Sequence, residues 1–363
     1  MSPIKRTLEH DGINHLNTVV SKSEEGDRQI LYGRAPQESL SQPTSGLIRS
    51  TVRRALACVP FIGAIALLIG SYIVIRNELD QHGWAVIWNR FTETSPTVLL
   101  LAIICVAVNY VVMTGYDTLA NRYINSALPY RKTALVAAVS YSISNTIGAT
   151  FLSGSALRYR FYKRWGFTVQ QIAQIIAFCN LSFWLGMLTT SGVLLLTRPD
   201  NFAVALDLPQ QSLQVLGFAS LSMVVTYLVI GSVMRRSLTI GWVSVPRLSL
   251  PIAVSQIMLT CVDWAIAAST IYVLLSPTTI GDLPYVIGVY VVAQFVGVLS
   301  SAPGGIGVFE TVMILLLPSV ASTVDILGAL VAFRILHHIV PMCFGLLALM
   351  GCEASFFVNR KCN

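Results

Sequence analysis

Long apolar segments constrain this chain more than any other feature of its sequence. A helix of about 20 predominantly apolar residues crosses a bilayer, and only helices and closed barrels satisfy every backbone polar group in lipid. Of the 363 residues, 54% are hydrophobic and 11% are charged, unlike a soluble domain. We therefore predict an all-α integral membrane protein. Its six full transmembrane helices are expected at about 55–75, 96–116, 169–196, 212–234, 250–276 and 326–350.

Polar segments flank the predicted multi-pass membrane domain, which covers residues 51–355. Residues 1–50 are polar, of mixed charge and without periodicity, which predicts a cytoplasmic tail. Residues 356–363 are predicted to form a short cytoplasmic C-terminus. The net charge of +7 does not indicate a nucleic-acid partner, because the basic residues are scattered between apolar segments and suit topology and lipid contacts.

A short aromatic segment follows the first predicted span. Trp84, Ile87, Trp88 and Phe91 recur at the spacing of one helix face, with polar residues elsewhere around the helix. Tryptophan is enriched at membrane–water interfaces. The segment therefore predicts an amphipathic helix that lies in the interface.

The apolar run 285–317 contains a segment that cannot be regular helix. Pro303 lacks a backbone donor, and Gly304 and Gly305 give a helix little support. Broken backbone at membrane depth is tolerated only where it is buried in protein or lines a wet cavity. Glu310 follows at once, and ionisable residues within a membrane usually have a function. The segment therefore predicts a site for a polar solute.

A second run, 133–152, is too polar to face lipid. Its polar and small residues are Ser140, Ser142, Ser144, Asn145, Thr146, Gly148 and Thr150. In both runs, broken helix is expected to leave free backbone N–H groups at half-helix N-termini, where anions bind. The residues expected to present them are Asn145, Gly148, Gly304, Gly305 and Gly307. The alternative is that these small residues only allow close helix packing.

The distribution of Lys and Arg predicts how the two broken runs thread. If 133–152 enters and leaves on the cytoplasmic side and 285–317 on the outside, fifteen basic residues flank the cytoplasmic side and three the outside. The positive-inside rule favours this arrangement, with both termini cytoplasmic. The runs are then two opposed re-entrant hairpins, an inverted-repeat-like pattern with halves of about 96–196 and 250–350.

Charged residues near the breaks complete the predicted site. Arg158 and Arg160 follow the first break, and a guanidinium suits phosphate, although headgroup anchoring is the alternative. We expect Arg158 and Glu310 to face each other and to bind the phosphate and amine of a lipid headgroup. The predicted substrate-binding residues are Asn145, Gly148, Arg158, Arg160, Pro303, Gly304, Gly305, Gly307, Glu310 and Arg334.

Three carboxylates are candidates for coupling to a proton or another ion: Asp117, Asp263 and Glu310. Asp117 ends a predicted span, so a place at the interface is its alternative. Asp263 lies in the middle of a span and needs a partner. Arg334 is expected to pair with Glu310 or Asp263, or to bind phosphate.

Four short segments carry a resemblance to a known family. They are Tyr116-Asp117, Ser144-Asn145-Thr146-Ile147-Gly148, Ser153-Gly154 with Leu157-Arg158-Tyr159-Arg160, and Pro303-Gly304-Gly305-Ile306-Gly307. Over about Ala55–Met350 the chain resembles the membrane flippase region of bacterial lysylphosphatidylglycerol synthetase/flippase proteins and their stand-alone relatives. The resemblance implies a flippase or scramblase of the cell inner membrane. Its substrate would be phosphatidylglycerol, cardiolipin or an aminoacylated phospholipid.

Enzymatic activity is not expected. The family's synthetase carries a large soluble aminoacyl-transfer domain, whereas this chain stops at Asn363. The sequence has no HExxH or GxSxG motif and no Walker A loop. His337 and His338 would point about 100° apart on a helix, so no metal or cofactor is expected. The alternatives are a non-transporting partner of a separate lipid synthase and a headgroup-modifying membrane enzyme. A homo-oligomer is left open.

Overall fold

Helices form almost all of the described chain. The structure is a computed structural model that describes residues 67–147, 150–233, 238–240, 243–245, 248–276, 282–300 and 302–361. The predicted tail, 1–50, and most of the first predicted span lie outside these residues. The helices are α1 (67–82), α2 (Trp84–Thr92), α3 (Pro96–Tyr123), α4 (Tyr130–Ile147), α5 (Thr150–Arg164), α6 (Val169–Thr197), α7 (Pro199–Leu206), α8 (Gln210–Val233), α9 (Leu250–Leu275), α10 (Leu283–Leu299), α11 (Val308–Leu316), α12 (Thr323–Phe333) and α13 (Val340–Lys361).

Two short strands lie between α8 and α9. Strand β1 (Leu238–Ile240) pairs antiparallel with β2 (Val243–Val245), with Ile240 opposite Val243. At the other end of the chain, the predicted C-terminal segment 356–363 is helical as far as Lys361, because α13 continues into it.

Five helical stretches of the described chain are long and apolar enough to cross a membrane. They are α3, α6, α8, α9 and the stretch Thr323–Ala354 within α12 and α13. Five of the six predicted spans are thus confirmed as apolar helices, and the chain is a multi-pass membrane protein. Helix α3 continues past the predicted end at 116, because Asp117 and Asn121 in its last turns are buried against other helices.

Polar residues mark where these helices begin. Ser95 caps α3, whose first residue is Pro96, and Thr168 forms a capping box with Gln171 at the start of α6. Ser322 caps α12 in the same way. Each hydroxyl accepts a hydrogen bond from a backbone N–H that has no partner within the helix, so these positions fix the helix boundaries.

The polar run 133–152 lies in two helices, α4 and α5, which pack against each other. They contain 18 and 15 residues, or about 27 and 22 Å of helix, so α5 is short for a full crossing. Gly154 allows close approach, because a Cβ there would lie 3.3 Å from Ser144 Oγ. Ser142 and Ser144 are buried between helices, which explains the polar run. We call α4 and α5 the first hairpin; its junction, 148–149, lies outside the described residues.

The run 285–317 is broken where the sequence predicts. A 3₁₀ turn, Pro303–Gly305, separates α10 from α11. The φ angles of Gly304, Gly305 and Gly307 are +60°, +66° and +87°, values that residues with a Cβ rarely adopt. We call α10, this turn and α11 the second hairpin. Its helices contain 17 and 9 residues, so α11 is far too short to span.

A π-helical turn interrupts the last predicted span. Residues Arg334–Ile339 form this π turn between α12 and α13. The sequence predicts a single span over 326–350, and residues 334–339 contain no proline or glycine that would indicate an interruption. Single π turns within α-helices often occur at functional sites. This one carries Arg334, His337 and His338.

The predicted aromatic segment is helical and forms α2. Of the residues that the sequence places on one face, Ile87 is buried, whereas Trp84 and Trp88 are exposed and stack with their ring centroids 6.4 Å apart. Arg90 of α2 packs over Gly328 of α12, where a Cβ would lie 3.1 Å from the Arg90 side chain. The interfacial position of the helix remains a prediction.

Candidate functional site

The two hairpin tips touch each other. A Cβ built on Gly304, in the second hairpin, would lie 3.0 Å from the backbone oxygen of Thr146, in the first. The Thr146 hydroxyl donates a hydrogen bond to the backbone oxygen of His338, at 3.1 Å. The broken ends of both hairpins and the π turn therefore meet at one place.

A cavity of about 460 Å³ lies beside this meeting point. Its wall combines both hairpins with α3, α6, α9 and the π turn. The lining residues that matter below are Tyr116, Tyr141, Asn145, Leu152, Arg158, Phe183, Asp263, Trp264, Tyr290, Gly304, Gly305, His337 and His338. A volume of this size lies within the usual range of small-molecule sites.

Asp117 and Arg158 form a buried ion pair on the first hairpin's side. Arg158 donates from Nε to Asp117 Oδ1 at 3.0 Å and from Nη2 to Oδ2 at 2.8 Å. The side chains of Asp117 and Arg158 are 0% and 4% exposed, so the pair is enclosed by other parts of the protein. The Tyr162 hydroxyl also donates to Asp117, and the Arg158 guanidinium lies 4.6 Å from the Tyr141 ring centroid. This geometry gives the pair the hydrogen bonds that buried charges require.

Glu310 and Arg334 form the corresponding pair on the second hairpin's side. Arg334 Nε donates to Glu310 Oε1 at 2.6 Å, and Arg334 Nη1 donates to the backbone oxygen of Gly304 at 2.7 Å. Glu310 Oε2 accepts from the Gly307 N–H at 2.7 Å. The pair thus fixes both ends of the broken segment, one of the arrangements expected for Arg334.

Two expectations about the binding groups change. Arg158 and Glu310 each contact an ion-pair partner of their own rather than each other. The N–H groups of Gly305 and Gly307 are not free, since they donate to the Ala302 backbone oxygen and to Glu310. The sequence could not show which groups bind these charges and N–H groups, because the partners are brought together only in the folded chain.

Several predicted binding residues lie outside the cavity. Arg160 pairs with Glu353 of α13 at 2.8 Å and is about half exposed. Pro303 is exposed beside the tip. Asn145, Arg158, Gly304 and Gly305 line the cavity. Gly307, Glu310 and Arg334 are not among its lining residues, and Gly148 falls outside the described residues.

A chain of hydrogen bonds runs along the cavity wall through Asp263. The carboxylate accepts from Asn109 Nδ2 at 2.8 Å and from the Tyr116 hydroxyl at 2.7 Å. Asn109 Oδ1 in turn lies 3.0 Å from His337 Nε2. Asp263 has no ion-pair partner among the described residues. The sequence analysis does not single out Asn109, although a buried amide in the middle of an apolar span is the signal that could have done so.

The histidines of the π turn belong to the cavity. His337 and His338 both line it, and both are buried. Neither ring nitrogen of His338 has a hydrogen-bond partner in the described part of the chain. No group of three or more His, Cys, Asp or Glu side chains that could hold a metal occurs among the described residues. The histidine rings therefore form part of the cavity wall, with the two nitrogens of His338 buried.

Comparison with known proteins agrees with this architecture. Residues 61–345 match the family described as "Lysylphosphatidylglycerol synthase TM region". The chain is 41% identical to uncharacterized protein slr0712 of Synechocystis sp., over 77% of this chain and 87% of that protein. It is 29% identical to inner membrane protein YbhN of Escherichia coli, over 84% and 93% of the two chains. It is 23% identical to phosphatidylglycerol lysyltransferase of Bacillus subtilis over 82% of this chain, but the match covers only 35% of that enzyme.

Proposed function

Because this chain belongs to the family of the lysylphosphatidylglycerol synthase TM region, we propose that it moves phospholipid between the leaflets of the bacterial inner membrane. The proposed substrate is an anionic or aminoacylated phospholipid. The similarity to an inner membrane protein supports the location. In this proposal both termini are cytoplasmic and the two hairpins enter the bilayer from opposite sides.

The observation that carries the proposal is the contact between the hairpin tips beside a cavity that Arg158 and Asp263 line. Paired broken segments that meet near the bilayer midplane are a common design of secondary transporters. Arg158 and Asp263 place charges on the cavity wall, and charged groups at such depth mark solute pathways.

The headgroup would enter this cavity while the acyl chains stay in lipid. Leu152, on the cavity wall, is 76% exposed and gives the wall an apolar edge. Arg158 remains the candidate for the phosphate, because its guanidinium lines the cavity and suits a phosphate group. Asp117, Asp263 and Glu310 remain the candidates for coupling to a proton or another ion.

The substitution Gly304→Ala tests the role of the tips. A Cβ at this position would be strained by the φ of +60° and would lie 3.0 Å from Thr146 O, so the tips must separate or shift. We expect the variant to insert normally but to lose most transport. The measurement is dithionite bleaching of fluorescent phosphatidylglycerol in proteoliposomes. A translocator brings the labelled lipid of the inner leaflet to the outer leaflet, where dithionite bleaches it.

The matched control is Gly70→Ala in α1, where a Cβ meets nothing within 4 Å. It should transport as the unsubstituted protein does. If the unsubstituted protein leaves the inner-leaflet label protected for every lipid offered, the chain does not translocate lipid. A partner of a lipid synthase or a headgroup-modifying enzyme would then be the better hypothesis.

A further inference from the structure

The charges of the cavity do not balance. Arg158 and Asp263 are the only residues with a formal charge among the described residues that line it, and Arg158 is neutralised by Asp117. Resting on the translocator function above, we propose that Asp263 and the aromatic residues around it bind the ammonium group of a phospholipid headgroup. The favoured substrate is then a phospholipid that carries a primary amine.

Asp263 lies on the cavity wall and is bound only by neutral groups of the described chain. Its two oxygens accept from Asn109 and from Tyr116, which are both neutral, so no cation of the described chain pairs with the carboxylate. The contact between Asn109 Oδ1 and His337 Nε2 fixes the orientation of the amide, so its NH₂ group points at the carboxylate. Asp263 is 9% exposed and faces the cavity. An ammonium ion in the cavity would complete an ion pair that the protein leaves open.

The wall beside Asp263 is aromatic. Trp264 has the Phe183 ring at 5.2 Å and the Tyr290 ring at 6.0 Å between centroids, and Tyr116 lies 5.5 Å from Tyr141. All five rings line the cavity. Ring faces attract cations, and aromatic cages are a common means of binding ammonium groups. Carboxylate and rings thus favour the same kind of ligand.

The other carboxylates of the site do not compete for the amine. Glu310 is bound to Arg334 and to a backbone N–H, and Asp117 is bound to Arg158. Asn145 and Arg158, on the same wall, are the groups that suit the phosphate of the same headgroup.

A lipid fits the cavity better than a free amine, because the exposed Leu152 offers an apolar edge for acyl chains. Titration calorimetry of the purified full chain in detergent distinguishes binding of an amine-bearing lipid from binding of a free amine. The probes are dihexanoyl phosphatidylethanolamine, dihexanoyl phosphatidylglycerol and ethanolamine. We expect the unsubstituted protein to bind the ethanolamine lipid about tenfold more tightly than the glycerol lipid, the effect of one charge-assisted contact. Ethanolamine alone should bind far more weakly than its lipid.

Asp263→Asn should remove the preference, weakening the ethanolamine lipid about tenfold without weakening the glycerol lipid. The control is Asp325→Asn, which removes a carboxylate paired with Arg90 outside the cavity and should leave both affinities unchanged. If Asp263→Asn does not fold, Trp264→Phe is the second variant, and it should weaken binding of the ethanolamine lipid more than binding of the glycerol lipid. The comparison of the two lipids on the unsubstituted protein tests the site in either case.

Equal or tighter binding of the glycerol lipid by the unsubstituted protein would overturn the ammonium site. So would an Asp263→Asn variant with the original preference. Neither outcome touches the translocator function, because the bleaching assay can still show phosphatidylglycerol moving. Conversely, an Asp263-dependent preference in a protein that moves no lipid would support the binding site and refute translocation.

Discussion

At the scale of single residues, the two ion pairs of the site differ in their surroundings. The Asp117–Arg158 pair is almost wholly buried, whereas Glu310 and Arg334 keep 14% and 18% of their side-chain surface exposed. Both pairs join residues far apart in sequence and fix the hairpins in place. Breaking the buried pair should therefore have the larger effect on folding.

Replacing Asp117 by Asn should destabilise the protein by about 3–5 kcal/mol, because Arg158 would stay buried without a counter-ion. The measurement is the thermal unfolding midpoint in detergent. The double variant Asp117→Asn, Arg158→Met should recover much of the loss, since it removes the uncompensated charge. Glu353→Gln, which breaks a more exposed pair with Arg160 and Arg164, serves as the control and should cost about 1 kcal/mol or less. Equal losses in the single variants would contradict this account.

The residue types of the site could be predicted from the sequence, but their partners could not. Charges are rare within apolar segments, so Asp117, Arg158, Asp263, Glu310 and Arg334 are conspicuous in the sequence. Asp117 and Arg158 lie 41 positions apart, and Glu310 and Arg334 lie 24 apart. Which acid meets which base depends on how the helices pack, and the spacing of residues along the chain does not determine this.

At the scale of helices, close packing joins α13 to the first hairpin. A Cβ built on Gly345 would lie 2.0 Å from Ser142 Oγ of α4, so no other residue fits without a shift. Gly345→Ala should therefore destabilise the protein by about 1–3 kcal/mol, measured by thermal unfolding. Gly351→Ala, in the same helix, is the matched control, because a Cβ there meets nothing within 4 Å. Similar midpoints for the two variants would show that α13 is not held there.

The helical elements were predictable where backbone chemistry dictates them. Pro303 and Gly304 predict the break of the second hairpin, and the length of five apolar segments predicts that they are helices. The π turn, Arg334–Ile339, has no such signal, because its residues are all compatible with an α-helix. His337 and His338, both within this turn, line the cavity.

At the scale of the whole molecule, the threading of the chain through the bilayer is the prediction that most needs a test. Single cysteines replacing Thr279 and Thr323, in a background without the native cysteines, should react with a membrane-impermeant thiol reagent added outside. A cysteine replacing Ser126, in the predicted cytoplasmic loop between α3 and α4, should react only after permeabilisation. The expectation follows from the excess of basic residues on the cytoplasmic flanks. Labelling of position 323 from the cytoplasm alone would mean that the second hairpin crosses the membrane.

The contact between the hairpin tips is made largely by the main chain, with a glycine on one side and a peptide oxygen on the other. At the contact itself, a new side chain at position 146 is compatible with the peptide oxygen that meets the glycine, whereas any Cβ at position 304 is not. If the chain moves lipid as proposed, substitutions of cavity-lining side chains can change which headgroup is accepted without altering this contact. Headgroup preference and the contact between the tips could then vary independently among relatives.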